Sequence, residues 1–548
     1  MKTPPFATMT TSMRRALILL PFLFACTAMP DSAEESRPER PVTAAERSAY
    51  ARTSTSDEVD RFLSGCVAKR PDRLGFHVLG KSVNGRTIPL VLAADPLPEN
   101  LERARDDGRP VVLVMANIHA GEVEGKEAVQ EILREIAFDG LHAELLQKTI
   151  VAFVPNYNPD GNDAMDRKNR PDQAGPVEGV GRRPNGAGLD LNRDFLKIAA
   201  PETEALIDAV RASNALLVID CHATNGSFHG YDLTYAGPLH PGADPELLSF
   251  VRKDFLPAVR ARMAVAGYAT FDYGNWVDDK TPAFGWATFE PNPRFGNSYF
   301  GMRNRISLLS EAYSHDPFVK RIASTKALVL AGWAEFAERG PSIAALCRKA
   351  DDRGRTGPEK NLRLPTRGVL AQTGVEPVPV GGVREETDPV TGLVRQWDDD
   401  VSVPTPMPVY QHFDGAAFRP VPALGWAVRR PSPQLLAVLD RHGIVYRRIL
   451  DPERANARVF YVSKTLTSPQ PFQGLRLRTF QGRDRAEVVE LPPGAIVAPA
   501  AQALLRLAFI LFEPESEDGL GTWGLLGVER GDDQAEVFEA LRIESMAP

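Results

Sequence analysis

From about residue 50 the chain alternates short apolar runs with longer amphipathic ones, the pattern of a sheet layered with helices. Ser56-Asp57-Glu58 caps a helix whose apolar positions include Val59, Phe62 and Leu63. Phe76–Leu79 and Ile88–Ala93 read as strands joined by a turn at Asn84-Gly85. Val111–Asn117 is nearly continuously apolar, as expected of a strand covered on both faces. A helix is expected over Glu122–Phe138, with Val123, Ala128, Ile132 and Ile136 near one face. Thr149–Pro155, Ala215–Asp220 and Arg305–Ser310 read as further buried strands, and Glu202–Ala212, Phe250–Met263 and Phe318–Glu338 as helices. The alternation predicts an α/β class: a mixed, largely parallel sheet flanked by helices, over residues 50–340.

Past that layer the pattern changes. Residues 348–365 are charged and carry Gly and Pro, which predicts a linker over 341–365. Residues 366–548 hold short strands (Gly368–Gln372, Ala457–Ser463, Leu475–Phe480, Ala486–Leu491) and two helices (Gln434–His442, Gln502–Phe512), a smaller α+β domain. At the other end, residues 27–49 are polar, Pro-containing and low in apolar content, which predicts a disordered tether. Before it, Arg14 and Arg15 precede the apolar run Ala16–Ala25, the length of a signal-peptide core and well short of the roughly 18 apolar residues of a membrane span. Residues 1–26 are therefore expected to direct export, to the periplasm, a membrane anchor or the medium. Leu23-Phe24-Ala25-Cys26 resembles a bacterial lipoprotein cleavage box, which makes Cys26 a candidate lipid attachment point.

Composition narrows the partners. A formal net charge of −7 argues against a nucleic-acid ligand. Four cysteines make no disulfide framework, and with Cys26 lipidated, Cys66, Cys221 and Cys347 remain, as one Cys66–Cys347 bridge or as free buried thiols.

The chemistry gathers at predicted strand ends. His119 follows the strand ending at Asn117, and Glu122 lies three residues on, a spacing at which one turn aims both side chains at one point. His222 sits just past another buried strand. The carboxyl ends of strands form the functional edge of open α/β sheets. Two histidines and a carboxylate with an open fourth position make a catalytic zinc set. Cys221, next to His222, alternates away from it.

Between these groups lie Asn158-Pro159-Asp160-Gly161, then Arg167-Lys168-Asn169-Arg170, then Asp190-Leu191-Asn192-Arg193. Taken in this order, the segments resemble the zinc metallocarboxypeptidase family (carboxypeptidase A-like) over residues 50–340. The resemblance implies a carboxypeptidase-like fold and one zinc ion held by His119, Glu122 and His222. It implies that Asp190 orients His119, that Asn192 and Arg193 grip a substrate's C-terminal carboxylate, and that Arg167 polarises the scissile carbonyl. A strand-end Glu should be the general base. Glu311 fits that place, with Glu290 as competitor. The family's active-site tyrosine corresponds to Tyr299 or Tyr273. Gly121 departs from the family, many of whose members carry Arg there. The stretch 284–305, rich in aromatics and Arg, is read equally as a pocket wall or as ordinary packing. Residues 492–499, Gln502, 511–516 and Trp523 resemble extensions on some bacterial members. The expected activity is zinc-dependent removal of C-terminal residues from peptides with a free carboxylate. Two alternatives stay open: a zinc amidase or deacylase acting on cell-wall peptides or N-acyl amino acids, and an inactive lipid-anchored binding protein.

Overall fold

The apolar runs assemble into one eight-stranded sheet in the computed structural model, which describes residues 39–548 except 225, 532 and 533. The expected signal segment, Cys26 and the first part of the tether lie outside the described residues. The strands are β1 (Leu74–Lys81), β2 (Thr87–Ala93), β3 (Val111–Ala116), β4 (Ile150–Val154), β5 (Leu217–Ala223), β6 (Leu233–Ala236), β7 (Thr270–Asp272) and β8 (Ile306–Ala312). Their order is β1-β2-β4-β3-β5-β8-β6-β7. β4, β3, β5 and β8 run parallel, while β1 and β2 join one side antiparallel and β6 pairs antiparallel with β8. Every residue of β3, β4, β5 and β8 is buried, which is why those segments read as apolar runs rather than as alternating ones. The fold is thus the mixed, largely parallel α/β class.

The helix Glu124–Arg134 lies unusually close to this sheet. A Cβ on Gly125 would sit 2.3 Å from the Cys221 Cβ and 2.9 Å from the Ala116 Cβ, so only glycine admits that approach to β3 and β5. Cys221 therefore faces the helix, on the side opposite to His222. The helix widens into a π turn over Glu135–Asp139. Helix Ser56–Lys69 is capped by Thr55 rather than Ser56: Thr55 accepts from the Glu58 N–H, and the Glu58 carboxylate accepts from the Thr55 N–H.

Two expected boundaries shift. Residues 40–49 are not a free tether: Thr43 caps a short helix, Ala44–Arg47, with Ala44 and Ala45 buried and Glu46 paired to Arg134. The expected linker is also largely helical. Helix Phe318–Arg355 runs through Pro341 and buries Ile343, Cys347 and Ala350, an apolar spacing that the surrounding charges concealed.

The C-terminal region is dominated by two long hairpins. Arg363–Thr387 pairs with Val394–Pro420, and Glu453–Thr467 with Arg478–Leu491. The last strand replaces two shorter ones expected at Leu475–Phe480 and Ala486–Leu491, because its exposed, charged middle hides its continuity. This region does not have a core to itself. Phe195, Leu196, Tyr299 and Phe300 share one buried cluster with Trp426, Leu439 and Phe509. Cys66, Cys221 and Cys347 are free and buried. Among the described residues no helix is long and apolar enough to cross a membrane.

The Gly125 contact yields a prediction. Gly125→Val should lower unfolding stability by about 1–3 kcal/mol through overpacking, read as a lower urea midpoint. Gly65→Ala, in a helix where the added methyl meets nothing within 4 Å, should raise it. An unchanged midpoint for Gly125→Val would remove the close helix–sheet approach.

Candidate metal centre and cleft

The metal-seeking groups are placed by the ends of parallel strands. β3 stops at Ala116, and Asn117 turns the chain with φ 66°, its side-chain amide donating to Asn156 and Asn162. The next turn closes when the Glu122 N–H donates to the His119 carbonyl at 2.9 Å. β5 brings His222 to the same edge, and in the parallel register of β5 with β8 its partner is Glu311.

One ligand atom each from His119, Glu122 and His222 lies within 4.8 Å of the others. His119 Nδ1 and His222 Nδ1 are 3.2 Å apart, and Glu122 Oε2 lies 3.1 Å and 2.9 Å from them. The opposite ring nitrogens face carboxylates: His119 Nε2 is 3.0 Å from Asp190 Oδ1, and His222 Nε2 is 2.8 Å from Asp220 Oδ2. The Asp190 carboxylate favours the proton on His119 Nε2 and so the Nδ1 lone pair toward the common centre, while Asp220 is an ion-pair neighbour of His222 Nε2. All three side chains are buried. Burial favours the neutral form of Glu122, yet His119 and Arg170 hold it well below the ordinary carboxylate range. Burial likewise opposes charge on His222, but Asp220 and Glu122 raise it well above an ordinary imidazole. Two imidazole nitrogens and a carboxylate oxygen, backed by two further carboxylates, fit a divalent zinc ion.

Around this centre opens a cleft of about 520 Å³. Glu311 lines it, and burial pushes its carboxyl up to about 8 against the pull of His222, with Glu122 adding to the rise. Tyr273 also lines it, and burial and the neighbouring Glu311 raise its hydroxyl above the ordinary range. Glu290 lies at the same cleft but is exposed. Asn192 accepts from the Gly296 N–H at 2.9 Å, so its NH2 is the end of the side chain that can donate. The Arg193 guanidinium stacks 4.1 Å from the Phe295 ring centroid.

Two expected site residues are not brought here. Arg167 is absent from the cleft lining, and its nearest carboxylate is Asp388 at 4.0 Å. Tyr299 is wholly buried in the shared core, its hydroxyl 2.9 Å from His442 Nδ1. Arg183 lines the cleft instead, with Nε donating to Asp190 Oδ2 at 3.0 Å and Nη1 lying 3.4 Å from Glu122 Oε1. Arg170 fills the space beside Gly121: a Cβ there would meet the Arg170 Cδ at 2.7 Å. Arg170 donates to Glu122 Oε1 and to the Thr224 carbonyl. The departure at Gly121 thus has a steric cause. Asp220 was missed, although it precedes His222 by two positions and so shares its face. Arg183, Phe472 and Gln473 carried no spacing signal. His229 and His240 are buried, and neither joins the metal cluster.

Residues 59–274 match the zinc carboxypeptidase family. Mouse (Mus musculus) carboxypeptidase D is 30% identical over 176 residues, and the aligned part spans only 12% of that protein's length. Carboxypeptidase 2 of Trichophyton rubrum is 20% identical over 499 residues, covering 87% of this chain and 85% of that protein. The crystal structure of a metallo-carboxypeptidase from Burkholderia cenocepacia aligns with a TM-score of 0.38 at 20% identity, over 52% of this chain and 69% of that one.

The carboxylates behind the imidazoles give a prediction. Asp190→Asn and Asp220→Asn should each weaken zinc binding about 10- to 100-fold, measured by competition with a chromogenic chelator. Unchanged affinity in both would show that they do not orient the histidines.

Proposed function

We propose, from the match of residues 59–274 to the zinc carboxypeptidase family, that the protein is a zinc-dependent exopeptidase that removes C-terminal residues from peptides. One observation carries the reading: the His119, Glu122 and His222 ligand atoms converge beside buried Glu311, in a cleft that also holds Asn192 and Arg193. His119, Glu122 and His222 would hold the zinc, which supplies a Lewis acid able to acidify water and polarise a carbonyl. Glu311 accepts the proton released by the attacking water and delivers it to the departing amine. Arg183 donates to the carbonyl oxygen as negative charge grows there, and Asp190 keeps its guanidinium in place. Arg193 offers parallel donors to the substrate's terminal carboxylate, with its plane set by Phe295, and the Asn192 NH2 adds another.

The export reading belongs to the same proposal. Arg14 and Arg15, the apolar run 16–25 and Cys26 support delivery of the enzyme outside the cytoplasm with a lipid on Cys26.

The test uses zinc-loaded protein with one peptide as its free acid and as its C-terminal amide, with products read by mass spectrometry. The free acid should lose single residues in sequence and the amide should be spared. Chelation should stop the reaction, and added zinc should restore it. Internal fragments from both peptides would sink the exopeptidase reading. Glu311→Gln should cut kcat by about 10²–10⁴ while retaining zinc. Arg183→Ala should cost about 10²–10³ in kcat, and Arg167→Ala should stay within a few-fold of wild type. Equal losses for the two arginine variants would contradict the assignment of Arg183.

A further inference from the structure

The C-terminal region reaches into the cleft. The hairpin formed by Glu453–Thr467 and Arg478–Leu491 extends into a loop whose tip is the turn Phe472–Leu475. Phe472 and Leu475 exchange both backbone hydrogen bonds, at 2.7 Å and 3.0 Å. Gln473 and Gly474 both have positive φ, 51° and 77°. Such a turn favours Asn or Gly at each central position, and glutamine there is strained. The Gln473 side chain offsets that strain at one place: its Oε1 accepts the Asp190 N–H at 2.8 Å, across 283 residues of sequence. Asp190 is the carboxylate that faces His119 Nε2 and receives Arg183.

The neighbouring Phe472 lines the same cleft as Arg193, Phe289 and Phe295. It is held there from behind. Its ring centroid lies 5.4 Å from the Arg294 guanidinium, which lies 5.1 Å from the Trp523 ring on its other contact. Arg294 is ion-paired with buried Asp518 at 2.8 Å, and the Trp523 indole donates to the same carboxylate at 3.0 Å. The wall is therefore fixed by a stack drawn from the 288–295 segment and from the C-terminal region.

We propose that this turn is a working part of the site: Phe472 is a specificity-determining wall for the substrate's C-terminal side chain, and Gln473 is a positioning residue that holds Asp190, and through it His119, in register. The proposal rests on the exopeptidase reading for its substrate, and it assigns that substrate a large apolar C-terminal side chain. Phe295 lies under Arg193, Phe289 packs on Phe295 with ring centroids 5.2 Å apart, and Phe472 adds a third aromatic ring to the lining of the same cleft, the apolar surface against which a terminal side chain would rest.

The experiment compares wild type with Phe472→Ala, Phe472→Leu and Gln473→Gly on peptides ending in Phe and in Ala, together with zinc affinity. For Phe472→Ala the ratio of kcat/KM between the two peptides should fall at least about 10-fold, chiefly through KM. Phe472→Leu should fall less, and zinc affinity should hold in both. Gln473→Gly removes the strain, so the zinc-free protein should unfold at an equal or higher urea midpoint. Its zinc Kd should nevertheless rise about 10-fold, a combination that a merely structural turn would not produce. An unchanged Phe/Ala ratio overturns the role of Phe472, and an unchanged zinc Kd overturns that of Gln473. If wild type cleaves neither peptide, the exopeptidase reading fails separately. Calorimetry then still decides the wall: 3-phenylpropanoate should bind wild type more tightly than propanoate, and Phe472→Ala should lose that preference. Equal affinities in wild type would overturn it.

Discussion

Three polar groups buried at one edge of the sheet face one another at hydrogen-bond distance, and much of the structure is arranged around that arrangement. Isolated, each would be destabilised by the loss of water. Together, with Asp190 and Asp220 behind the imidazoles, they form a compact set of nitrogen and oxygen donors suited to a divalent cation. The parallel sheet makes this convergence possible, because β3 and β5 end at the same edge and β8 adds Glu311 in register with His222. Gly125 lets the helix carrying the continuation of the Glu122 turn lie flat on those strands.

The same constraint explains what could be read without coordinates. His119, His222 and Glu311 were legible because each sits at or just past the end of a fully buried strand, which shows itself as an apolar run, and Glu122 because it follows His119 by one turn. The arginines were not. Residues 164–190 form an irregular excursion with no periodic pattern, so nothing in it told whether Arg167, Arg170 or Arg183 would turn inward. The structure turns Arg170 onto Glu122 and Arg183 into the cleft, and leaves Arg167 near Asp388. Tyr299 was misplaced for a related reason. An aromatic beside a pocket and an aromatic in a core look alike in sequence, and only the His442 partner, 143 positions away, decides between them. Boundaries failed where charge masked periodicity, as in the helix beyond Pro341 and the exposed strand Arg478–Leu491.

The C-terminal region is an integral part of this architecture. Its apolar residues complete a core begun by Phe195, Leu196, Tyr299 and Phe300, so removing it would expose that face of the α/β layer. Its hairpin contributes a ring to the cleft and a hydrogen bond to the backbone of Asp190. Stability and site geometry are therefore coupled through contacts between segments hundreds of residues apart, which no local sequence pattern encodes.

The central claim is that His119, Glu122 and His222 grip one zinc ion. Anomalous diffraction at the zinc absorption edge from crystals of the zinc-loaded protein tests it directly. The account predicts a single strong peak at roughly 2.0–2.2 Å from His119 Nδ1, His222 Nδ1 and a Glu122 carboxylate oxygen. A cleft without that peak, or a peak bound by other residues, would contradict it.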